Sequence, residues 1–242
     1  MRTLGLSLGV IALLGTSPAH AIPIDVGVSG ALIGNYVFRG ARLLGIGLQN
    51  DAYATFGLTP RLSATAYLWQ YILLDAGKGI AEGDYDASLS YTPGWFNDLV
   101  TATAGYVYYD VNNSPGSAAF LGRDTQEAYA GLDFALPWSP AIYAWYDFDN
   151  AVGTYLRASA GNSFGLGASG WNLDVLGAVG FDFGRTNGFQ DGLVRTALSY
   201  ELEPGLTLGP AVDWWFPSSR IDPGADGFRP VLSLVAAYNN SF

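Results

Sequence analysis

Carboxylates and arginines at two-residue spacing carry whatever chemistry this chain can do. Asp84 and Asp86, and again Asp147 and Asp149, sit two apart, so an extended backbone turns both members of each pair to one side. Such pairs can hold a divalent cation or divide the work of acid and base. The same spacing also makes a hydrated wall, which fits the rest of the sequence better. The chain has no cysteine and one histidine, His20, which falls inside a leader-like amino terminus. Beyond it there is no imidazole base, no soft metal ligand and no thiol nucleophile. The sequence therefore predicts neither an enzyme nor a cofactor or metal centre.

Read with a period of two, the polar side carries Asp25, Asp51, Asp84, Asp86, Glu127, Asp133, Asp147, Asp149, Asp174, Asp182, Glu201 and Asp213, against Arg39, Arg157, Arg195 and Arg229. If that side lines an open lumen, the surplus of acids favours cations over anions. If the arginines pair with acids of adjacent strands, the lumen is bridged and nearly closed. Arg157, between the segments of Asp147 and Asp182, and Arg195, beside Asp182, are placed for that. Tyr53, Tyr67, Trp69, Tyr143, Trp145 and Trp215 share the polar side, where they could stack on a sugar or fill the interior.

The elements that must position these groups are twelve extended segments. They span residues 25–39, about 46–58, 62–74, 83–91 and 99–110, three more within 124–164, then 171–184, 193–202, 206–216 and 228–242. In the triplet, Ala128, Ala130, Leu132 and Phe134 alternate with Glu127, Tyr129, Gly131 and Asp133, and the next two segments repeat the contrast. Mean hydropathy is positive and aromatics make up 14% of residues, yet past the leader no apolar run is long enough for a membrane helix. Hydrophobic overall but alternating locally is the signature of a transmembrane antiparallel up-and-down β-barrel. Residues 1–21 read as a cleaved signal peptide, with Arg2, an apolar middle and Ala19-His20-Ala21, and 22–242 as one barrel domain. The formal net charge is −10 and Lys78 is the only lysine, which argues against a nucleic-acid partner.

Connectors alternate between tight turns, such as 59–61, 137–140, 168–170 and 203–205, and longer stretches at 75–82, 112–123, 185–192 and 217–227. Short turns on one side and long loops on the other are the barrel rule, with both termini on the short-turn side. Outward aromatics fall in two groups. Tyr36, Phe38, Tyr106, Tyr108, Tyr146, Phe148, Phe181, Phe183, Trp214 and Phe216 lie near the loops, and Phe56, Tyr91, Phe134, Phe164, Trp171, Tyr200, Tyr238 and Phe242 near the turns. Aliphatic residues lie between, as in two girdles around a bilayer. Pro210 and Pro230 predict a bulge or a late strand start. Asn50, Gln70 and Asn162 face outward against the trend.

At Asn35-Tyr36-Val37-Phe38-Arg39-Gly40, Glu127-Ala128-Tyr129-Ala130-Gly131-Leu132 and Tyr146-Asp147-Phe148-Asp149 leading to Gly153-Thr154-Tyr155-Leu156, the chain resembles the TorF-type porin family of Gram-negative outer membranes. Leu232, Leu234, Ala236, Tyr238 and Phe242 look like the carboxy-terminal strand signal read by the barrel-assembly machinery, with Asn240 departing from it. The resemblance implies a cell outer membrane location among lipids and passive diffusion of small solutes. The expected function is a small, weakly cation-preferring channel lined by Arg39, Asp51, Asp84, Asp86, Glu127, Asp133, Asp147, Arg157, Asp174, Asp182, Arg195, Glu201, Asp213 and Arg229. The alternative is a plugged, structural or surface-exposed barrel whose loops bind partners.

Overall fold

The computed structural model describes residues 22–74, 80–111, 123–150, 152–184, 187–221 and 228–242. The expected leader at 1–21, and much of the anticipated loops at 75–82, 112–123 and 217–227, lie outside the described residues. Among the described residues fourteen strands follow in chain order: β1 (Ile24–Ile33), β2 (Tyr36–Phe38), β3 (Ala41–Leu44), β4 (Gly47–Thr59), β5 (Leu62–Leu73), β6 (Ile80–Tyr91), β7 (Val100–Asp110), β8 (Thr125–Phe134), β9 (Ala141–Asp147), β10 (Gly153–Gly165), β11 (Trp171–Phe183), β12 (Gly188–Glu203), β13 (Leu206–Pro217) and β14 (Arg229–Ser241). All but β2 and β3 form one closed antiparallel barrel in which each strand pairs with its chain neighbours. The seam joins β1 to β14, from Asp25 opposite Ser241 to Ile33 opposite Ser233. Reciprocal bonds between Ile24 and Phe242, 3.1 Å and 2.8 Å, extend it. Closure leaves the barrel no unpaired sheet edge.

The alternation read from the sequence becomes an inside and an outside. Along β7, Ala102, Ala104 and Tyr106 are exposed while Val107 and Tyr109 are buried. Ala104 stands in a rung with Leu89 and Ala130, and the neighbouring inward rung joins Ser90, Thr103 and Gly131. Inward hydroxyls pair across strands, Ser90 with Thr103 at 2.9 Å and Thr55 with Thr65 at 2.8 Å. Outward aromatics cluster toward the two ends. Tyr85 and Tyr108, Tyr106 and Phe148, and Trp214 and Phe228 meet near the loop end, at centroid separations of 6.3, 6.4 and 5.4 Å. Trp138 and Phe164, and Trp171 and Tyr200, meet near the turn end at 5.7 and 5.1 Å.

Three expectations need correction or refinement. The segment 25–39 is not one strand: β1 stops at Ile33, and β2 and β3 form a separate hairpin. Tyr36 is consequently buried, and Phe38 packs against buried Tyr109, so neither belongs to an outward girdle. Asp147 and Asp149 do not share a face, because β9 ends at Asp147. The Asp147 carboxylate instead accepts the backbone N–H groups of Asp149 and Asn150, each at 3.0 Å, and Asp149 pairs with exposed Arg123 at 3.3 Å. Pro230 sits at the start of β14, while Pro210 lies within β13. There the pairing of β12 with β13 skips from Ala197 opposite Ala211 to Tyr200 opposite Leu208.

Beside this gap Gly209 lies so close to β12 that a Cβ would collide with the Leu198 carbonyl, whereas a Cβ on Gly177 would stand 4.0 Å from its nearest neighbour. Gly209→Ala is expected to destabilise the folded barrel by about 1–3 kcal/mol, as overpacking does, with Gly177→Ala near neutral. Guanidinium unfolding of the refolded protein in detergent checks the contrast.

Candidate functional site

The hairpin β2–β3 crosses the lumen and fastens to walls contributed by most of the barrel. Its two-residue loop is Arg39-Gly40, with φ of 47° and 82°, the doubly positive pattern of a type I′ turn. Gly40 takes that conformation freely and presses against Asp191 and Pro217, where a Cβ would approach Asp191 Cβ to 2.8 Å. Arg39 adopts it against its own steric preference, and its contacts supply the compensation. The guanidinium makes a two-pronged bond to Glu127 on β8, at 2.7 Å and 2.5 Å. It also lies 4.4 Å from the ring centroid of Tyr155 and 5.8 Å from that of Trp145. Gln190 donates to the Arg39 carbonyl at 3.0 Å.

The flanking residues dock on three walls. Tyr36 stacks on Tyr71 at 5.0 Å and lies 5.1 Å from Trp69, in a buried cluster with Ile33, Leu44 and Ala81. Its hydroxyl donates to Glu82 at 3.0 Å. Phe38 packs edge-on to Tyr109 at 5.8 Å, and Val37 packs against buried Trp215, Leu193 and Val231. Burial alone would lower the Arg39 pKa, but Glu127 with Tyr109 and Tyr155 outweighs it, so the pKa is raised and the group stays charged.

The acids gathered here outnumber this cation. Glu127 also accepts from Tyr109 at 2.8 Å, Asp191 from Tyr155 at 3.1 Å, and Asp147 from Thr125 at 2.9 Å. Asp84 turns a buried Oδ1 inward with no hydrogen-bond partner among the described residues, and Asp182 is buried on β11. Deeper toward the turns, Asp51 accepts from Ser29, Asp86 from Tyr129, Asp133 from Tyr143 and Asp174 from Ser199, between 2.5 Å and 2.8 Å. Arg195 stands opposite Asp213 and reaches it at 3.5 Å; the expected neighbour Asp182 lies instead opposite Gly188, with Leu176 facing Arg195 on β11. Arg157 stands opposite Tyr143 and Gly180, with no ion pair to Asp147 or Asp182 among the described residues. Arg229 opens β14 opposite Trp215, and Glu201 is exposed near the turn end of β12.

Two participants, Glu82 and Asp191, escape the sequence reading because it assigns them to loops. Both lie on strands longer than the sequence reading gave, in register with the rest of β6 and β12: Glu82 opposite Tyr71 and Asp191 opposite Gly180. Several inward aromatics lie along the wall instead of filling the space. Tyr53, Tyr129 and Tyr143 stand opposite Gly27, Gly105 and Gly131, and each ring covers the position a Cβ would take there. Below the hairpin a cavity of about 240 Å³ remains, lined by Asn35, Gln49, Asp51, Arg195, Asp213 and Ser233 among others.

No protein-family model matches the chain, and no curated protein matches it in sequence. Solved structures resemble it in fold. The NanC porin aligns over 88% of this chain and 98% of its own, with TM-score 0.53 and 10% identity. An outer-membrane channel from Pseudomonas putida F1 aligns over 91% and 95%, with TM-score 0.50 and 12% identity. Outer membrane phospholipase A from Escherichia coli aligns over 89% and 92%, with TM-score 0.52 and 13% identity. At these identities the shared property is the closed twelve-stranded barrel.

Arg39 and Glu127 are 14% and 2% exposed, so removing one strands the other's charge. Arg39→Ala is expected to cost about 3–5 kcal/mol, the usual penalty for breaking a buried pair. The double change Arg39→Met with Glu127→Leu should cost much less. Guanidinium unfolding midpoints across this cycle measure the coupling.

Proposed function

We propose that the chain is a porin-like channel of a Gram-negative outer membrane, passing small solutes by diffusion with a weak preference for cations. The observation that carries this reading is a polar lumen, rich in carboxylates, inside a barrel whose outward face is apolar at nearly every rung. Leu132, Val179 and Leu198 are 38–40% exposed, and Leu232 66%. A monomer dissolved in water rarely exposes so continuous an apolar surface, whereas a barrel in lipid requires it. The exposed Phe242 and the outward Leu232, Leu234 and Tyr238 on β14 support recognition of that strand by the barrel-assembly machinery.

Cation preference follows from the inward charge. Arg39 pairs with Glu127 and Arg195 with Asp213, and the other inward acids, Asp51, Asp84, Asp86, Asp133, Asp147, Asp174 and Asp191 among them, outnumber the other inward arginines, Arg157 and Arg229. Fields from such groups, concentrated between low-dielectric walls, attract cations into the lumen. The hairpin favours a second reading, a plugged barrel, because it docks on three walls and takes up the width of the lumen near the loop end. Lipid hydrolysis, suggested by the third structural likeness, lacks a candidate base here: the one histidine is His20, outside the barrel domain.

Planar-bilayer recording separates channel from plug. The channel reading expects small single-channel currents from the unmodified protein and a reversal potential of cation-selective sign in a KCl gradient. Replacing residues 36–44 with a Gly-Ser linker should raise conductance several-fold. Current only in the replaced variant would establish the plug, and anion selectivity would contradict the lumen reading.

A further inference from the structure

Two amides interrupt the outward apolar face. Along β4 the outward series runs Leu48, Asn50, Ala52, Ala54 and Phe56, and the register sets Asn50 opposite Gln70 on β5, with Leu48 opposite Ile72 on one side and Ala52 opposite Leu68 on the other. The same rung continues to Gly30 on β1 and to Gly83 on β6, beyond which it reaches Asp110 on β7. The amides are therefore adjacent, bracketed by apolar rungs, and flanked by residues with no side chain. Neither has a hydrogen-bond partner among the described residues. The third outward amide differs: Asn162, near the turn end, accepts the Ser163 N–H at 3.0 Å.

An amide facing hydrocarbon without a partner is unfavourable. Exposed Ile46, Leu48 and Leu74 lie between this rung and the loop end. A second copy of the same face meets the need. Each amide carries both donors and an acceptor, so a twofold axis through the rung brings Asn50 of one copy to Gln70 of the other, and the reverse, satisfying both pairs at once. Gly30 adds no side chain beside Asn50, whose Oδ1 lies 3.5 Å from where a Cβ would stand, while the Tyr85 ring borders Gly83, so close approach is easiest on the β1 side, as small residues allow between membrane segments. We propose that the outward face of β4 and β5, centred on Asn50 and Gln70, is a homodimer interface within the membrane. This rests on the reading of the outward face as lipid-contacting.

The chain has no cysteine, so single cysteines report proximity directly. Gln70→Cys and, on the opposite wall, outward Val179→Cys are refolded into phosphatidylcholine vesicles and oxidised. The dimer predicts several-fold more disulfide-linked product at residue 70 than at 179. In the cysteine-free background, Asn50→Leu with Gln70→Leu should weaken dimerisation in detergent at least about tenfold, read by sedimentation equilibrium. Equal cross-linking at the two positions, or unchanged association of the double variant, would overturn the interface. The heat-dependent electrophoretic shift of a folded barrel separates the two failures. A shift without dimer rejects the interface alone, whereas a folded protein that stays soluble without lipid or detergent rejects the membrane reading and this inference with it.

Discussion

A sheet that closes on itself leaves every residue only two directions to face, and most of this molecule follows from that. Once β1 meets β14, backbone donors and acceptors along the wall are paired with neighbouring strands, and side chains alone must satisfy two unlike surroundings. The sequence does so with a period of two: aliphatic and aromatic groups outward, and hydroxyls, carboxylates and a few arginines inward. The inward groups are too polar to form a dry core and too numerous in acids to neutralise one another. Hydrogen bonds from serine, threonine and tyrosine hydroxyls to Asp51, Asp86, Asp133 and Asp174 spread that charge along the wall.

Near the loop end the same space is treated differently. The β2–β3 hairpin brings apolar side chains and the Arg39 guanidinium into the lumen, and Arg39 is the joint that fixes it. The left-handed conformation at Arg39 is unfavourable on its own, yet the two-pronged bond to Glu127 and the face of Tyr155 hold the residue where a two-residue loop needs it. The ion pair is mostly withdrawn from water, so its Coulomb energy is set against desolvation. Its clearest consequence is geometric: a loop that could lie on the outer surface is tied across the channel to β8.

Much of the barrel is legible in the sequence because period-two contrast sets both strand and face. The twelve walls, the short-turn end and the inward orientation of Asp84, Glu127 and Arg195 follow from it. The hairpin does not, because Tyr36-Val37-Phe38-Arg39 alternates as well as a wall strand and so reads as the end of β1. The available signal was Gly40 between two short alternating runs, a hairpin mark. Contacts across the lumen are illegible for a different reason. Strand order fixes neighbouring strands but not register, so Arg195 was expected beside Asp182 and instead pairs with Asp213 on β13. Arg39 and Glu127 are 88 residues apart and meet only because a loop folds inward. Glu82 and Asp191 keep the inward period of Asp84 and Arg195 and were hidden because the Gly-containing stretches 75–82 and 185–192 read as loops.

The division between lipid outside and water inside can be measured residue by residue along β7. With single spin-labelled cysteines from residue 101 to 109 in bilayers, collision with oxygen should peak at 102, 104, 106 and 108. Collision with a water-soluble nickel chelate should peak at 101, 103 and 105, and fall at 107 and 109, where the hairpin packs. Two profiles that rise and fall together, or that lack the two-residue period, would contradict this division and with it the channel built on it.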